Sequence, residues 1–221
     1  MVAVRRLTPS LVSLKFEVPS RLDHLPGQHF VLRLTAEDGY TAQRSYSIAS
    51  APSDPLLELC VDRLPDGEVS GYLYDVVRPG DQLELRGPIG GFFVWDGAAP
   101  ALAVGGGSGV VPIRSMLRHA LNTGATDRLA LAVSARTAAE LPYYDELMAA
   151  GATVALTRAR TRPDGVLDHR LAAADLAPLA AGRESVYVCG SAVFAESISQ
   201  QLVELGVPSD TVKVERFGPT S

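Results

Sequence analysis

Ala101-Leu102-Ala103-Val104-Gly105-Gly106-Gly107-Ser108-Gly109-Val110-Val111-Pro112 is the stretch on which the fold turns. Its first apolar residues suit a buried strand, the glycines suit a tight turn, and Ile113, Met116, Leu117 and Ala120 then recur at the spacing of one helix face. Pro112 is compatible with the first turn of that helix, where N–H groups have no helical partner anyway. Such a strand, glycine turn and helix serves one of two ends. It is a tight structural turn, or it brings backbone and exposed helix N–H groups up to a phosphate. A Walker A loop would need Gly-Lys-Ser/Thr, and no lysine stands here, which argues against nucleoside triphosphate hydrolysis.

Toward the carboxyl end the alternation continues. Leu129 to Val133, Thr153 to Leu156 and Val186 to Cys189 read as strands, and a helix is expected around Tyr143 to Ala149. Another helix carries Phe194, Ile198, Leu202 and Leu205 on one face, and a short strand, Val212 to Val214, precedes Glu215-Arg216-Phe217-Gly218. Strands alternating with helices predict a parallel sheet. Toward the amino end the rhythm differs: Val12 to Val18, Phe30 to Leu34, Ser45 to Ile48, Leu57 to Val61 and Gln82 to Arg86 are too short for helices. Turns such as Asp38-Gly39 and Pro79-Gly80 are expected to join them as antiparallel neighbours in a small β barrel. The change of rhythm places a boundary near Asp96 to Pro100.

The whole composition agrees with one large or two small domains. The chain has 221 residues, 47% of them hydrophobic and 20% charged, which is too apolar for a disordered chain. With 20 Lys and Arg against 25 Asp and Glu the net charge is −5, so no nucleic-acid partner is expected. Two cysteines, Cys60 and Cys189, cannot supply the four thiolates of a zinc or iron-sulfur site. His24, His29, His119 and His169 form no compact ligand pattern and no G-x-S-x-G occurs, so neither metal nor hydrolase chemistry is expected. No run approaches the roughly 20 apolar residues that span a bilayer, and MVAVRRLTPS has no targeting character. No membrane insertion is expected, and a cytoplasmic location follows.

The strand ends carry further chemistry. A dinucleotide site for NAD usually has an acid after the second strand, but here stand Ser134-Ala135-Arg136, then Arg158 and Arg160 after the third. These arginines are a solvated basic edge, or they clamp a 2′-phosphate and favour NADPH over NADH. Cys189-Gly190-Ser191 repeats the strand-to-helix logic, with Cys189 either a small buried hydrophobe before a helix cap or a thiol at a nucleotide crevice. In the first half, Arg44, Tyr46 and Ile48 alternate on one strand face with Ser45 and Ser47 on the other. Arginine suits phosphate, tyrosine a stacked ring, and serine a hydrogen bond to a ring nitrogen.

Taken together, Arg44-x-Tyr46-Ser47, Gly67-Glu68-Val69-Ser70, Gly87-Pro88-Ile89-Gly90, the glycine cluster with Pro112, Cys189-Gly190 and Glu215-Arg216-Phe217-Gly218 resemble, in order and spacing, the ferredoxin-NADP reductase superfamily. The resemblance implies an antiparallel six-stranded β barrel for FAD over 1–97, followed by an α/β parallel-sheet domain for NADP or NAD over 98–221. It implies that Arg44 meets the FAD pyrophosphate, Tyr46 stacks on the isoalloxazine, and Ser47 hydrogen-bonds near flavin N5. Ile48 and the strand of Val61 run beside the cofactor, and Gly67, Val69 and Ser70 form the turn and helix start that receive the pyrophosphate. Gly107, Ser108 and Pro112 border the nicotinamide dinucleotide, and Arg136 and Arg158 meet its adenosine phosphate, with Arg170 a third cation. Cys189 and Gly190 lie near the hydride path and Phe217 near the other flavin face.

Two departures stand out. Where many relatives have Gly-Gly-Thr-Gly this chain has Gly106-Gly107-Ser108-Gly109, which keeps the hydroxyl. With only two cysteines, the plant-type ferredoxin domain of many oxygenase reductases is not expected, so electrons pass to a separate ferredoxin or oxygenase. The implied activity is hydride transfer from NAD(P)H to flavin, with Ser47, Tyr46 and Cys189 shaping the site. The alternatives are a reductase of free flavin or oxygen and a non-catalytic electron-transfer subunit.

Overall fold

The computed structural model describes residues 1–19 and 23–218. The amino-terminal half contains β1 (Ala3–Arg6), β2 (Leu11–Phe16), β3 (His29–Thr35), β4 (Thr41–Ser47), β5 (Leu57–Asp62) and β6 (Glu84–Ile89). All pair antiparallel, in two three-stranded sheets ordered β1-β2-β5 and β4-β3-β6. A bridge between Ile48 and Leu59 links the sheets around one apolar core containing Leu14, Phe30, Leu32, Leu57 and Val61. The expected strands are present, and β1 is additional. So is most of α1 (Glu68–Asp75), which sends Val69 and Leu73 into that core. Pro79-Gly80 therefore follows a helix rather than joining two strands as expected, because Val69 and Leu73, four residues apart, form a helix face toward the core.

The second half runs β7 (Ala101–Gly106), α2 (Val110–Thr123), β8 (Leu129–Ala135), α3 (Tyr144–Ala149), β9 (Thr153–Leu156), α4 (Ala173–Ala180), β10 (Ser185–Ser191), α5 (Ala192–Glu204) and β11 (Val212–Phe217). The five strands are parallel in the order β11-β10-β7-β8-β9. A parallel sheet is covered on both faces, so each strand feeds two cores. Ala101, Ala103, Tyr187 and Cys189 pack with Ile113, Met116 and Leu117 of α2. Leu102, Val104, Val186 and Val188 pack on the other side with Leu176 of α4 and Ile198 and Leu202 of α5.

Three differences from the sequence reading have local causes. α4 escaped notice because its alanine-rich sequence buries only Leu176 fully. Leu205 is the cap residue that ends α5 and is exposed, so it is not on the buried face. β11 extends to Phe217 because its pairing with β10 continues to Ser191.

Candidate nucleotide and flavin site

The first turn of α2 joins the two halves. Val111 packs with Ala49, Leu11 and Cys60 of the first half. One turn on, Ser115 Oγ donates to the Ser50 carbonyl at 2.7 Å and Arg114 Nη1 donates to the Ala49 carbonyl at 3.0 Å. Ala49 lies just past the end of β4, and Val111 just past the glycine loop, so these contacts tie the segment that follows β4 to the helix that follows the loop.

Behind this junction is a buried polar cluster that the sequence reading did not single out. Glu58, whose side chain is 7% exposed, accepts from Ser13 Oγ, from Tyr143 Oη at 2.9 Å and from Arg114 Nη1 at 2.9 Å. The Arg114 guanidinium lies 3.9 Å from the Tyr143 ring centroid, its Nε donates to Glu146 at 2.7 Å, and the Cys60 thiol contacts Tyr143 Oη at 2.9 Å. Arg118 holds Asp54 in a bidentate pair, Nε and Nη2 donating to its two carboxylate oxygens at 2.6 and 2.8 Å. Burial alone would raise the Glu58 pKa, but Arg114, Ser13, Lys15 and Tyr143 together hold it below the usual carboxylate value. Burial also opposes ionisation of Asp54, yet Arg118 and the Ala51 N–H lower its pKa to about 2. Burial and the Glu58 charge push the Cys60 thiol up to about 12, so this cysteine is a neutral hydrogen-bonding group. The signal was present: in Leu57-Glu58-Leu59-Cys60-Val61 the period of two sets Glu58 and Cys60 on the face away from the first core.

On the flavin side, Arg44 is exposed and donates to its neighbour's carbonyl, Gln43, at 2.7 Å. Tyr46 is half-buried against the barrel core, and burial raises its hydroxyl pKa. Ser47 is 6% exposed. The expected common face of Arg44, Tyr46 and Ile48 ends at Tyr46: β4 stops at Ser47, and Ile48 turns into the core with no exposed surface. Val61 and Val69 are likewise core side chains, so the strand and the helix start that they mark present main chain rather than these side chains at the surface. Ser70 Oγ accepts from Leu64 N and donates to the Gly67 carbonyl, which shapes the turn before α1. No side chain caps α1 at Gly67, which leaves the N–H groups of its start suited to a pyrophosphate.

The glycines of the second half divide into two kinds. A Cβ on Gly109 would collide with the Cys189 carbonyl, and one on Gly106 or Gly190 would press on the Phe194 ring at 2.8 or 2.7 Å. Those glycines allow α2, β10 and α5 to approach. Gly107 has φ +57° and nothing within 4 Å of where a Cβ would stand, which is open space fit for a dinucleotide. Ser108 is partly exposed beside it, whereas Pro112 and Gly190 are buried.

Of its two readings, Cys189 takes that of a small buried residue before a helix cap. Its side chain is 0% exposed within the α2-facing core, so the folded chain offers no thiol surface to a nucleotide, and burial together with Glu215 raises its pKa well above the ordinary value. Phe217, opposite Ser191 in the β10–β11 ladder, packs against the same core. Glu215 pairs opposite Cys189, and burial pushes its pKa up to about 7.

At the far end of the sheet, Arg136, Thr157, Arg158, Asp168, His169 and Arg170 line an open cleft of about 480 Å³. The structure thus brings the three expected arginines together and adds Asp168 and His169. Arg136 also lies 3.7 Å from Glu140. Among the described residues, no group of three or more His, Cys, Asp or Glu is arranged to hold a metal, and no helix is long and apolar enough to cross a membrane.

Comparison with known proteins agrees with this geometry. Residues 1–94 match the oxidoreductase FAD-binding domain and residues 103–200 the oxidoreductase NAD-binding domain. The chain is 31% identical over 234 residues to the reductase component of propane 2-monooxygenase from Gordonia sp. (strain TY-5), covering 98% of this chain and 66% of that protein. It covers 61% of the Rhodococcus jostii counterpart, so it spans less than two thirds of these relatives. The flavohem-like FAD/NAD-binding domain of a nitric oxide dioxygenase from Vibrio cholerae superposes with TM-score 0.85 at 27% identity, covering 98% of this chain and 96% of that one. A ferredoxin NADP+ reductase from Neisseria gonorrhoeae shares the fold with TM-score 0.80 at 21% identity, covering 97% of this chain and 96% of that one. An FAD-binding domain with antiparallel sheets, followed by an NAD-binding domain on a parallel sheet, places this chain in the ferredoxin-NADP reductase superfamily.

Proposed function

We propose that the chain is an NADPH-dependent flavoprotein reductase that passes electrons to a separate acceptor protein of the ferredoxin or oxygenase type. The observation that carries this reading is the docking of α2 on Ala49 and Ser50, which ties the segment just after Ser47 to the helix just after the Gly107 turn. The domains are taken as 1–97 and 98–221. The Gordonia relative, named as the reductase component of a monooxygenase, supports a separate acceptor. The cytoplasm, where NADPH is maintained, is the location that this reading requires.

Bound FAD supplies the conversion of a two-electron hydride donor into one-electron steps. The chain's part is positioning and electrostatics. Arg44 and the uncapped start of α1 hold the pyrophosphate, the half-buried Tyr46 offers its ring as a stacking face, and Ser47 offers a hydroxyl to the ring edge. The Gly107 turn would admit the nicotinamide dinucleotide, and Phe217 would lie at the other flavin face and have to move for the nicotinamide to stack. Arg136, Arg158 and Arg170 face the adenosine 2′-phosphate, which favours NADPH over NADH.

Anaerobic stopped-flow absorbance of the FAD-loaded protein tests this directly. Mixing with NADPH should bleach the flavin band faster than mixing with NADH, and Arg158→Ala should remove most of that preference. Bleaching by neither nucleotide would overturn the reductase reading, and equal rates would overturn the preference for NADPH.

A further inference from the structure

The cleft that holds the three arginines contains a carboxylate, Asp168, which would oppose an anionic ligand, and beside it a histidine in an unusual setting. His169 Nδ1 lies 3.3 Å from Asp168 Oδ1, and Nε2 lies 3.1 Å from Asp175 Oδ2. A neutral imidazole has one N–H and one lone pair, so it would aim a lone pair at one carboxylate. Only the imidazolium donates to both. Asp175 is fixed independently, because the same Oδ2 accepts from the Ala172 N–H at 2.8 Å at the start of α4. Asp168 is 66% exposed and is also met by Arg162 Nη2 at 3.3 Å. The charged groups around the ring are therefore Asp168 and Arg170 in its own segment, Asp175 from α4, Arg162 after β9, and Arg136 and Arg158 across the cleft.

We propose that His169 is a specificity-determining residue for the phosphorylated dinucleotide: its imidazolium cancels the Asp168 charge beside the arginines, and loss of its proton turns that carboxylate against the 2′-phosphate. The inference rests on the reading that this cleft takes the adenosine 2′-phosphate. The hydrogen bonds that the His169 ring donates to Asp168 and Asp175 raise its proton affinity above that of an unpaired imidazole, so its charge persists to higher pH and is lost as the solution turns more alkaline. A phosphate monoester takes its second charge near pH 6. Affinity for NADP+ should thus rise as the phosphate ionises and fall again as His169 deprotonates. NAD+ lacks the 2′-phosphate and should show neither limb.

Calorimetric titration of the FAD-loaded protein with NADP+ and with NAD+, from pH 5.5 to pH 9, reads this directly. The wild-type protein should bind NADP+ with a bell-shaped profile, roughly three- to five-fold weaker at the alkaline end than at its maximum, the size of one exposed charge contact. His169→Gln should lose the falling limb and keep the rising one. Asp168→Asn, which removes the opposing carboxylate on an exposed loop, should bind NADP+ more tightly and move the falling limb to lower pH, because His169 loses one of the two carboxylates that hold its proton. Identical NADP+ profiles in wild type and His169→Gln would overturn the role of His169 while leaving the cleft as the phosphate site. NADP+ binding no tighter than NAD+ at any pH would instead overturn the reading of the cleft, and the inference with it.

Discussion

Arg114→Met removes the cation that joins the two halves while keeping an apolar stem of similar length. In the native chain the guanidinium side chain is 9% exposed and reaches Glu58, Glu146 and the Ala49 carbonyl. Its loss leaves the Glu58 carboxylate, 7% exposed, with Ser13, Tyr143 and a distant Lys15 amine at 3.9 Å. Breaking such a pair by removing one partner costs about 3–5 kcal/mol, because the remaining charge is buried without compensation. Arg33→Met is the control: its partner Glu84 is 2.6 Å away, but the two side chains are 47% and 55% exposed, and such a pair is worth about 0–1 kcal/mol. Guanidinium unfolding, followed by circular dichroism and by fluorescence of the single tryptophan, Trp95, measures both. Because the lost contacts lie between the halves, Arg114→Met should also separate one transition into two. Glu58→Gln in the same chain should recover part of the loss, giving a coupling of about 1 kcal/mol or more in the double-mutant cycle. A loss for Arg114→Met no larger than for Arg33→Met would refute the reasoning.

Two further predictions concern the second half. Burial raises the Glu215 pKa from 4.5 to about 7, so the unfolded chain ionises first and stability declines as pH climbs between those values, then levels off. Glu215→Gln should remove that part of the slope in thermal midpoints measured from pH 4.5 to 8, and parallel curves for the two proteins would contradict it. Gly109→Ala forces a methyl into the Cys189 carbonyl and should destabilise the domain and abolish nucleotide binding. Gly107→Ala meets open space and should cost only about 1–2 kcal/mol for its left-handed backbone, so the two variants should differ clearly in melting temperature.

The parallel-sheet half was legible because its strands are short apolar runs set between helical periods, and Thr153–Leu156 matches the expectation residue for residue. The helix α1 was less so: its apolar positions are few and it sits among strands, so only Gly67, Val69 and Ser70 marked its start. Arg44, Tyr46 and Ser47 could be placed from the alternation of β4, but the turn of Ile48 into the core depends on its bridge to Leu59 in the other sheet, a contact between distant positions. Cys189 shows the same limit. Local sequence puts it at the end of a strand before a helix cap, and only tertiary packing encloses its thiol. Glu58 and Arg114 are the opposite case, since each breaks an apolar pattern in its own segment, and a charge in such a place signals a partner elsewhere in the chain.

The cluster around Glu58 also limits how freely the halves of this protein could be exchanged with those of relatives. Ser13, Glu58 and Cys60 belong to the first half, Arg114, Tyr143 and Glu146 to the second, and neither set is satisfied without the other. A chimera that imported a foreign nucleotide domain without an arginine and a tyrosine at the matching places would bury an orphaned carboxylate at the seam. A graft that carried these six positions across as a unit would keep the seam closed, so the transplantable module of this protein is a domain together with the residues it meets on its neighbour.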